Sequence, residues 1–499
     1  MAGDGQTPTS KVTAYLIYLV FVITLGPLQF GYHLAELNAP EAVITCEKKS
    51  ITGITTTPKN PQGLLPQCIP MSKSQFGLVT SIYTLGGLLG ALLSGPCSTR
   101  YGRLFTLRAT TLFFILGPIA EAMAPGIGLL AFGRLLSGVG SGAAIVVGPI
   151  FVSEIAPPKS RGFFGAFTQV MTNVGILITQ TLGLFLSKDS LWRTILAVAG
   201  VIGVIQLFGL YFVCESPVWL ADHGQPSQAI QTLQKIRGKN TNIDDEVKHW
   251  EVAAAHGSDR QGAEEESLLA PPPGNLPPKQ PPVSLMGALQ SPYYRPAVIA
   301  VMATMAAQQL TGINSIIMYS VSLLASLLPT ASAILAVLIS ILNLFVTILC
   351  SPLADKLGRK KCLLYSISGM GTSSILIALS MSFTLKALAA PATLLFAASF
   401  AVGLGPVPFI LASELVGPEA VGATQSCALA TNWVATFLVA QFFPIINEAL
   451  GGMGRVYWGF AISAAVFGSF IYWWVPETKG KASVDEVWGR EDRERRRVD

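Results

Sequence analysis

Two adjacent glutamines and an asparagine stand in a stretch of the chain that is otherwise apolar. Gln308, Gln309 and Asn314 lie within residues 296–328, which carry no charged side chain. An amide in hydrocarbon is costly unless it is hydrogen-bonded, so these side chains must face protein, water or a polar ligand. On a straight helix Gln308 and Asn314 would point about 240° apart, and Gly312 is placed to let the helix loosen between them. Such a polar, breakable segment is typical of a substrate site in a membrane transporter.

A second set of amides follows the spacing of one helix face. Gln169, Asn173 and Gln180 stand at positions i, i+4 and i+11, which places them on the same side of a helix. Amides both donate and accept hydrogen bonds, so they suit a ligand that presents a ring of hydroxyls. The alternative interpretation is that these amides only bond one helix to another.

The elements that position these side chains are membrane helices. Of the 499 residues, 51% are hydrophobic and 12% are charged, whereas soluble domains carry about 25% charged residues. The four histidines and seven cysteines show no metal-ligand spacing, and no catalytic triad, Walker loop or dinucleotide fingerprint is found. We therefore expect a polytopic membrane protein that is not an enzyme, with no metal, no cofactor and no nucleic-acid partner.

Apolar runs that are long enough to cross about 30 Å of hydrocarbon fall into two sets of six. The predicted spans are at about 13–38, 74–96, 104–124, 127–153, 163–186 and 192–213, then 296–325, 330–353, 361–384, 390–415, 421–448 and 456–475. The predicted fold class is an all-α membrane protein with twelve transmembrane helices.

The positions of lysine and arginine predict the orientation of these spans. One set of short loops holds Arg100, Arg103, Lys356 and Arg359, and the opposite short loops hold no cation, so the basic side is expected to be cytosolic, with both termini. The predicted division is a cytosolic N-terminus (1–12), a first half (13–213), a cytosolic central segment (214–295), a second half (296–475) and a short cytosolic tail (476–499). The proline-rich part of the central segment, 253–283, is expected to be disordered.

The two halves repeat short motifs in the same order. Arg103, Glu154 and Glu215 recur as Arg359, Glu414 and Glu477 at nearly equal offsets. Three pairs in one order indicate two pseudo-symmetric halves related by an axis along the membrane normal.

These motifs identify a family. The chain resembles the sugar porters of the major facilitator superfamily, including facilitative glucose transporters and fungal vacuolar sugar-transporter-like proteins. The matching strings span nearly the whole chain: LQFGYHLAELNAP (28–40), GRLLSGVGSG (133–142), SEIAPPKSRG (153–162), ESPVWL (215–220), QQLTGIN (308–314), GPVPF (405–409), TNW (431–433) and PETKG (476–480). The resemblance implies alternating access around a sugar site that lies between the two halves, in a monomer.

The resemblance also implies which residues contact the sugar. They are Gln169, Gln308, Gln309, Asn314, Asn343 and Asn432, with Trp433 near the sugar ring. Phe409 stands where the family usually has tryptophan, which keeps an aromatic face and removes the indole donor.

Charged residues at the basic side correspond to the family's cytosolic gate. They are Arg103, Glu154, Arg161, Glu215, Arg359, Glu414 and Glu477. In the family such residues form ion pairs that lock the cytosolic side in the outward-open state, whereas the alternative is ordinary positive-inside topology. Three departures, Thr99, Val218 and Val421, remove charges that the family usually has.

The predicted first helix carries candidates for proton coupling. The family's proton-coupled members have aspartate after the FGY motif, and this chain has His33 there and Glu36 one turn later. Arg134 matches the cation that pairs with the family's aspartate, so Glu36 is expected to be its partner. Protonation of Glu36 would then free Arg134 and let the halves move. The alternative is a permanent Glu36–Arg134 pair in a uniporter.

Two further features concern the loops. Cys46 and Cys68 lie in the loop at 41–73 and could form a disulfide or remain free thiols. Glu264, Leu268 and Leu269 fit an acidic dileucine pattern, which sorting adaptors read on cargo bound for vacuoles or lysosomes. Short patterns of this kind also arise by chance.

We therefore expect a hexose transporter, with uniport and proton symport both open, in a vacuolar or lysosomal membrane rather than the plasma membrane. One rival is a sugar sensor on the same fold that binds without transporting. Sensors usually carry a long signalling tail, and the stretch after Gly480 is short. The other rival is a uniporter for a polyol or another small polar solute.

Overall fold

The structure is a computed structural model that describes most of the chain. The described residues are 12–50, 65–157, 160–238, 241–244, 246–247, 283–325, 327–328, 331–350, 352–417, 419–452, 454–481 and 483–490.

Within these residues, twelve helices are long and apolar enough to cross a membrane, which confirms the predicted fold class. The first half contains α1 (Ala14–Ala35), α2 (Lys73–Tyr101), α3 (Arg103–Ala122), α4 (Ile127–Ile155), α5 (Arg161–Leu186) and α6 (Trp192–Tyr211). The second half contains α7 (Arg295–Leu310 and Ile313–Ala325), α8 (Ser332–Cys350), α9 (Arg359–Ser382), α10 (Lys386–Val402 and Val407–Glu414), α11 (Val421–Ala449) and α12 (Val456–Trp474). Shorter helices lie outside these spans, at Glu41–Ile44, Pro217–Asp222, Pro226–Arg237, Leu285–Gln290, Leu353–Leu357 and Val484–Val487.

Two of the membrane helices are interrupted. The first segment of α7 ends at Leu310, and Gly312 adopts a positive φ of +99° before the second segment begins, as the sequence predicted. The interruption of α10, between Val402 and Val407, was missed because residues 390–415 form one continuous apolar run. Each interruption frees backbone groups that need hydrogen-bond partners, since the membrane interior supplies no water.

Glycines let α2 and α4 pack backbone against backbone. A Cβ added to Gly86 or Gly90 of α2 would meet the carbonyl oxygen of Leu135 or Val139 in α4. Van der Waals contact of this kind stabilises a helix pair in lipid, where the hydrophobic effect contributes little to helix association.

Several helices of one half contact helices of the other among the described residues. α2 packs against α11, α5 packs against α8, and α1 touches the second segment of α7. Large apolar side chains such as Phe208 and Trp473 point outward and are exposed, as expected where helices face lipid.

The close packing of α2 on α4 can be tested with two alanine substitutions in the same helix. Gly90→Ala should separate the helices and destabilise the protein by about 1–3 kcal/mol. Gly95→Ala places its methyl group in open space and serves as the control. Thermal unfolding of the purified variants in one detergent measures the difference, and equal unfolding temperatures would contradict the packing argument.

Candidate functional site

The interruption of α7 faces the interruption of α10, and one glutamine connects them. Gln308 is 3% exposed and lies near the end of the first α7 segment. Its amide nitrogen donates to the carbonyl oxygens of Leu404 at 2.6 Å and Gly405 at 3.0 Å. The side chain of one broken helix thereby satisfies the backbone that the other break leaves open.

Gln308 is also the centre of a chain of amides. Asn432 of α11 donates to Gln308 Oε1 at 2.5 Å, and Gln309 donates to the same oxygen at 3.0 Å. Asn314, beyond the α7 break, donates to Gln309 Oε1 at 2.6 Å. We call Asn432, Gln308, Gln309 and Asn314 the amide chain. Asn432 and Asn314, at the two ends of the amide chain, each donate through their side-chain nitrogen. Their side-chain oxygens are not used within the amide chain and suit hydroxyl donors.

Aromatic rings from both halves lie beside the amide chain. Trp433 is 2% exposed, and its ring meets Phe30 and Tyr83 of the first half edge-on, with centroids at 5.8 Å and 6.1 Å. Its indole Nε1 is buried and has no hydrogen-bond partner among the described atoms. A buried N–H group of this kind favours a ligand that offers an acceptor.

The other candidate residues for sugar contact lie on α5, α8 and α10. Asn343 is buried on α8, whereas Gln169 on α5 and Phe409 at the start of the second α10 segment are half-buried. Asn173 donates to Thr347 Oγ1 of α8 at 2.9 Å, and Gln180 donates to the Ile317 carbonyl of α7 at 3.3 Å. These last two amides therefore bond helix to helix across the halves in this conformation.

The charged residues proposed for proton coupling are fully buried together in the first half. His33 Nδ1 lies 3.0 Å and 3.1 Å from the two carboxylate oxygens of Glu36. Arg134 pairs with the Glu36 carboxylate and donates to the His33 carbonyl at 2.9 Å. Its guanidinium also lies 4.5 Å from the centre of the Tyr83 ring, which links this cluster to Trp433.

At the end of the molecule that carries the termini, Arg103 contacts two acids. Its guanidinium holds Glu154 in a fork at 2.7–3.2 Å. Glu215 accepts from the backbone nitrogens of Arg103 and Leu104 at 3.0–3.1 Å, beside Gly102, whose φ is +101°. Burial raises the pKa of the Glu215 carboxyl, and these backbone donors oppose the rise.

The second half repeats this arrangement. Arg359 holds Glu414 in a fork at 2.7–3.2 Å, and Glu477 accepts from the Arg359 backbone at 2.8 Å, beside Gly358 with a φ of +101°. Thr478 donates to Glu414 at 2.5 Å. Each fork joins residues of one half, so among the described side chains these ion pairs do not tie the halves together. The side chain of Arg161 lies outside the described residues.

Two further hydrogen bonds between the halves lie toward the opposite end. Asn38, after α1, donates to Ser320 Oγ of α7 at 3.0 Å. Ser81 of α2 donates to Gln441 Oε1 of α11 at 2.8 Å. A cavity of about 350 Å³, lined in part by Glu41, opens between the halves beyond these contacts, and burial raises the pKa of the Glu41 carboxyl to about 7.

The loop after α1 is tied to the start of α6. Cys46 and Cys68 form a disulfide, with their Cα atoms 5.3 Å apart. Trp192 donates its indole N–H to the Gln67 carbonyl at 2.8 Å, and Arg193 donates to the Pro66 carbonyl at 3.0 Å. The sorting pattern at Glu264, Leu268 and Leu269 lies outside the described residues, as do residues 253–282.

Two parts of the site were missed in the sequence. The α10 break has a signal in GPVPF, where one glycine and two prolines follow each other closely. Glu121 of α3 is fully buried beside the charged cluster and accepts from Ser137 at 2.6 Å. In the sequence it stands out as the lone acid inside its predicted span, and ionisable residues within spans usually have a function.

Comparisons with known proteins agree with this geometry. Residues 19–488 match the family model described as sugar (and other) transporter. The probable metabolite transport protein YBR241C of Saccharomyces cerevisiae is 36% identical over 490 residues, which cover 97% of each chain. Vacuolar protein sorting-associated protein 73 of the same yeast is 33% identical over 94% of this chain and 95% of its own. An inward-open structure of the xylose transporter XylE from E. coli superimposes with a TM-score of 0.73 at 25% identity, covering 95% of this chain and all of that one.

The match to the family model spans nearly the whole chain, and both yeast proteins align over almost their full length. The chain therefore belongs to the sugar porter family of the major facilitator superfamily.

Proposed function

We propose that this protein carries a hexose across the membrane by alternating access, as a monomer. The observation that supports this most is the amide chain, which lies where two broken helices meet and next to the unpaired indole of Trp433. Amide groups bind the hydroxyls of a sugar, and a tryptophan face packs against its apolar C–H side. The same chemistry also fits a polyol, so uptake of a panel of hexoses, pentoses and polyols into proteoliposomes would test the substrate class.

The distribution of contacts supports an inward-facing state. Asn38 and Ser81 join the halves toward the end remote from the start of α1, and the forks at the other end stay within each half. If the basic end is cytosolic, as the positive-inside rule predicts, the sugar site opens toward the cytosol. The cytosolic gate of the family would then close when these charges meet residues of the other half.

We also propose that sugar movement is coupled to protons through His33, Glu36 and Arg134. A buried ion pair inside a membrane protein is costly to separate, so protonation of an acid in this cluster would change which conformations are accessible. Residence in a vacuolar membrane, where the lumen is acidic, would then drive sugar toward the cytosol. The name of one yeast relative refers to vacuolar protein sorting, which supports this location.

Substitution of the central amide tests the sugar site. Gln308→Ala removes the donor to Leu404 and Gly405 and the acceptor for Asn432, so hexose affinity should fall at least tenfold, which corresponds to about 1.4 kcal/mol. Equilibrium binding to the purified protein measures this, with Gln231→Ala on the surface helix Pro226–Arg237 as control. Unchanged binding by a folded Gln308→Ala variant would exclude the assignment.

A pH gradient tests proton coupling. Proteoliposomes with an acidic exterior and no sugar gradient should accumulate hexose, because protons entering through the cluster carry sugar with them. Accumulation should disappear in Glu36→Gln. If the parent protein only equilibrates the sugar, it is a uniporter and the Glu36–Arg134 pair is structural.

The sorting pattern makes a prediction about location. Changing Leu268 and Leu269 together to alanine should move a fluorescent fusion from the vacuolar or lysosomal membrane to the cell surface. Changing Pro271 and Pro272 to alanine in the same segment is the matched control. Unchanged location of the dileucine variant would remove the pattern from the argument.

A further inference from the structure

The buried cluster in the first half contains one acid more than its cation can neutralise. Glu36, Glu121 and Arg134 are all 0–1% exposed. One coordinating atom each from His33, Glu36 and Glu121 lies within 4.8 Å of those of the other two. Two ionised acids and one guanidinium leave a net charge of −1 in an apolar surrounding, which is strongly unfavourable.

The two acids differ in their hydrogen-bond partners. Glu36 receives the guanidinium of Arg134 and the Nδ1–H of His33, so it has the partners that an ionised carboxylate needs. Glu121 accepts only from Ser137, and its other oxygen, Oε2, is buried and has no hydrogen-bond partner among the described atoms. A carboxylate here would lack donors, whereas a neutral acid can direct its O–H toward the Glu36 carboxylate or the His33 ring, whose coordinating atoms lie within 4.8 Å.

Histidine does not supply the missing positive charge. Because His33 Nδ1 donates to Glu36, its Nε2 is a bare acceptor in the neutral ring, and Nε2 is buried without a partner among the described atoms. A protonated ring would leave a buried N–H unpaired as well as the charge unsolvated. Phe114 stacks on the ring at 5.8 Å and covers one face of it.

Other polar and charged groups pack around the cluster, and those with hydrogen bonds are paired elsewhere. Tyr83 of α2 places its ring against Arg134 and donates its hydroxyl to the Phe30 carbonyl. Tyr32 of α1 donates to the Ile195 carbonyl of α6. Arg193 of α6 donates to the Ala122 and Pro66 carbonyls, next to Glu121 in sequence but not to its carboxyl. No second cation among the described residues therefore pairs with Glu121.

We propose that Glu121 is the proton-holding acid of this cluster: in the conformation described here it is a neutral carboxylic acid, while Glu36 stays ionised against Arg134. This assignment deepens the proposed proton coupling and rests on it for its role in transport. A proton that passes from Glu121 to Glu36 leaves a carboxylate at Glu121 and a neutral acid at Glu36. Arg134 then loses its salt bridge, and the net charge of the cluster is unchanged. A divalent cation is disfavoured at the same place because Arg134 already occupies the Glu36 carboxylate.

Infrared spectroscopy of the purified full-length protein in nanodiscs tests the assignment without sugar or a gradient. A protonated carboxyl group has a carbonyl stretch that an ionised one lacks. The parent for this test carries Glu41→Gln, because the raised pKa of the Glu41 carboxyl, about 7, would leave part of that acid protonated at neutral pH. At neutral pH this parent should show the band from a buried acid, and adding Glu121→Gln should abolish it. The exposed control Glu47→Gln should retain it. Retention of the band in Glu121→Gln would overturn the proposal, and so would its absence from the parent.

A second variant keeps the test independent of folding problems in Glu121→Gln. Ser137→Ala leaves the carboxyl group in place and removes its hydrogen bond, so the band should shift to higher frequency. A band that does not move in Ser137→Ala would contradict the assignment to Glu121. Because the band is read without a gradient, a parent protein that shows it but fails to accumulate sugar would overturn proton coupling and leave the neutral state of Glu121 established.

Discussion

The absence of water from the membrane interior is the constraint on which this structure depends. Every backbone group released by a broken helix, and every polar side chain in a span, must find a partner in the protein. Gln308 meets that requirement for the α10 break, and the amide chain extends it to α11 and across the α7 break. The groups that stabilise the irregular backbone are therefore the same groups that are suited to bind a sugar.

This constraint also explains why the two halves differ in their interiors. The second half has uncharged amides at its centre, and these amides hydrogen-bond to one another. The first half buries an arginine and two acids, which need a proton to reach neutrality. Tyr83 lies between them, touching both Arg134 and Trp433. A change in the charged cluster can thus reach the proposed sugar site through the Tyr83 ring, if that ring moves.

The sequence predicted the twelve spans and the break at Gly312 because both depend on local composition. Apolar runs set the helices, and a glycine beside unpaired amides marks the break. Predicting that Gln308 would pair with Leu404 and Gly405 was not possible, since that contact joins segments almost one hundred residues apart. Glu121 was overlooked for the same reason: its importance comes from its distance to Glu36, and nothing near it in the sequence shows that distance. The pairing of Asn173 with Thr347 likewise follows from how the halves meet, which periodicity does not encode.

The repeated contact of Gly102 with Glu215 and of Gly358 with Glu477 has a consequence for the origin of the chain. The same backbone angle, the same carboxylate and the same forked arginine occur once in each half, which indicates descent from a duplicated six-helix unit. Because the repeats run parallel, both copies insert in the same direction, and a lone ancestral unit would have had to form a twofold symmetric dimer with itself. In such a dimer any buried charge appears twice. In a fused chain the two halves need not be identical. One half can therefore bury two acids and an arginine while the other buries uncharged amides.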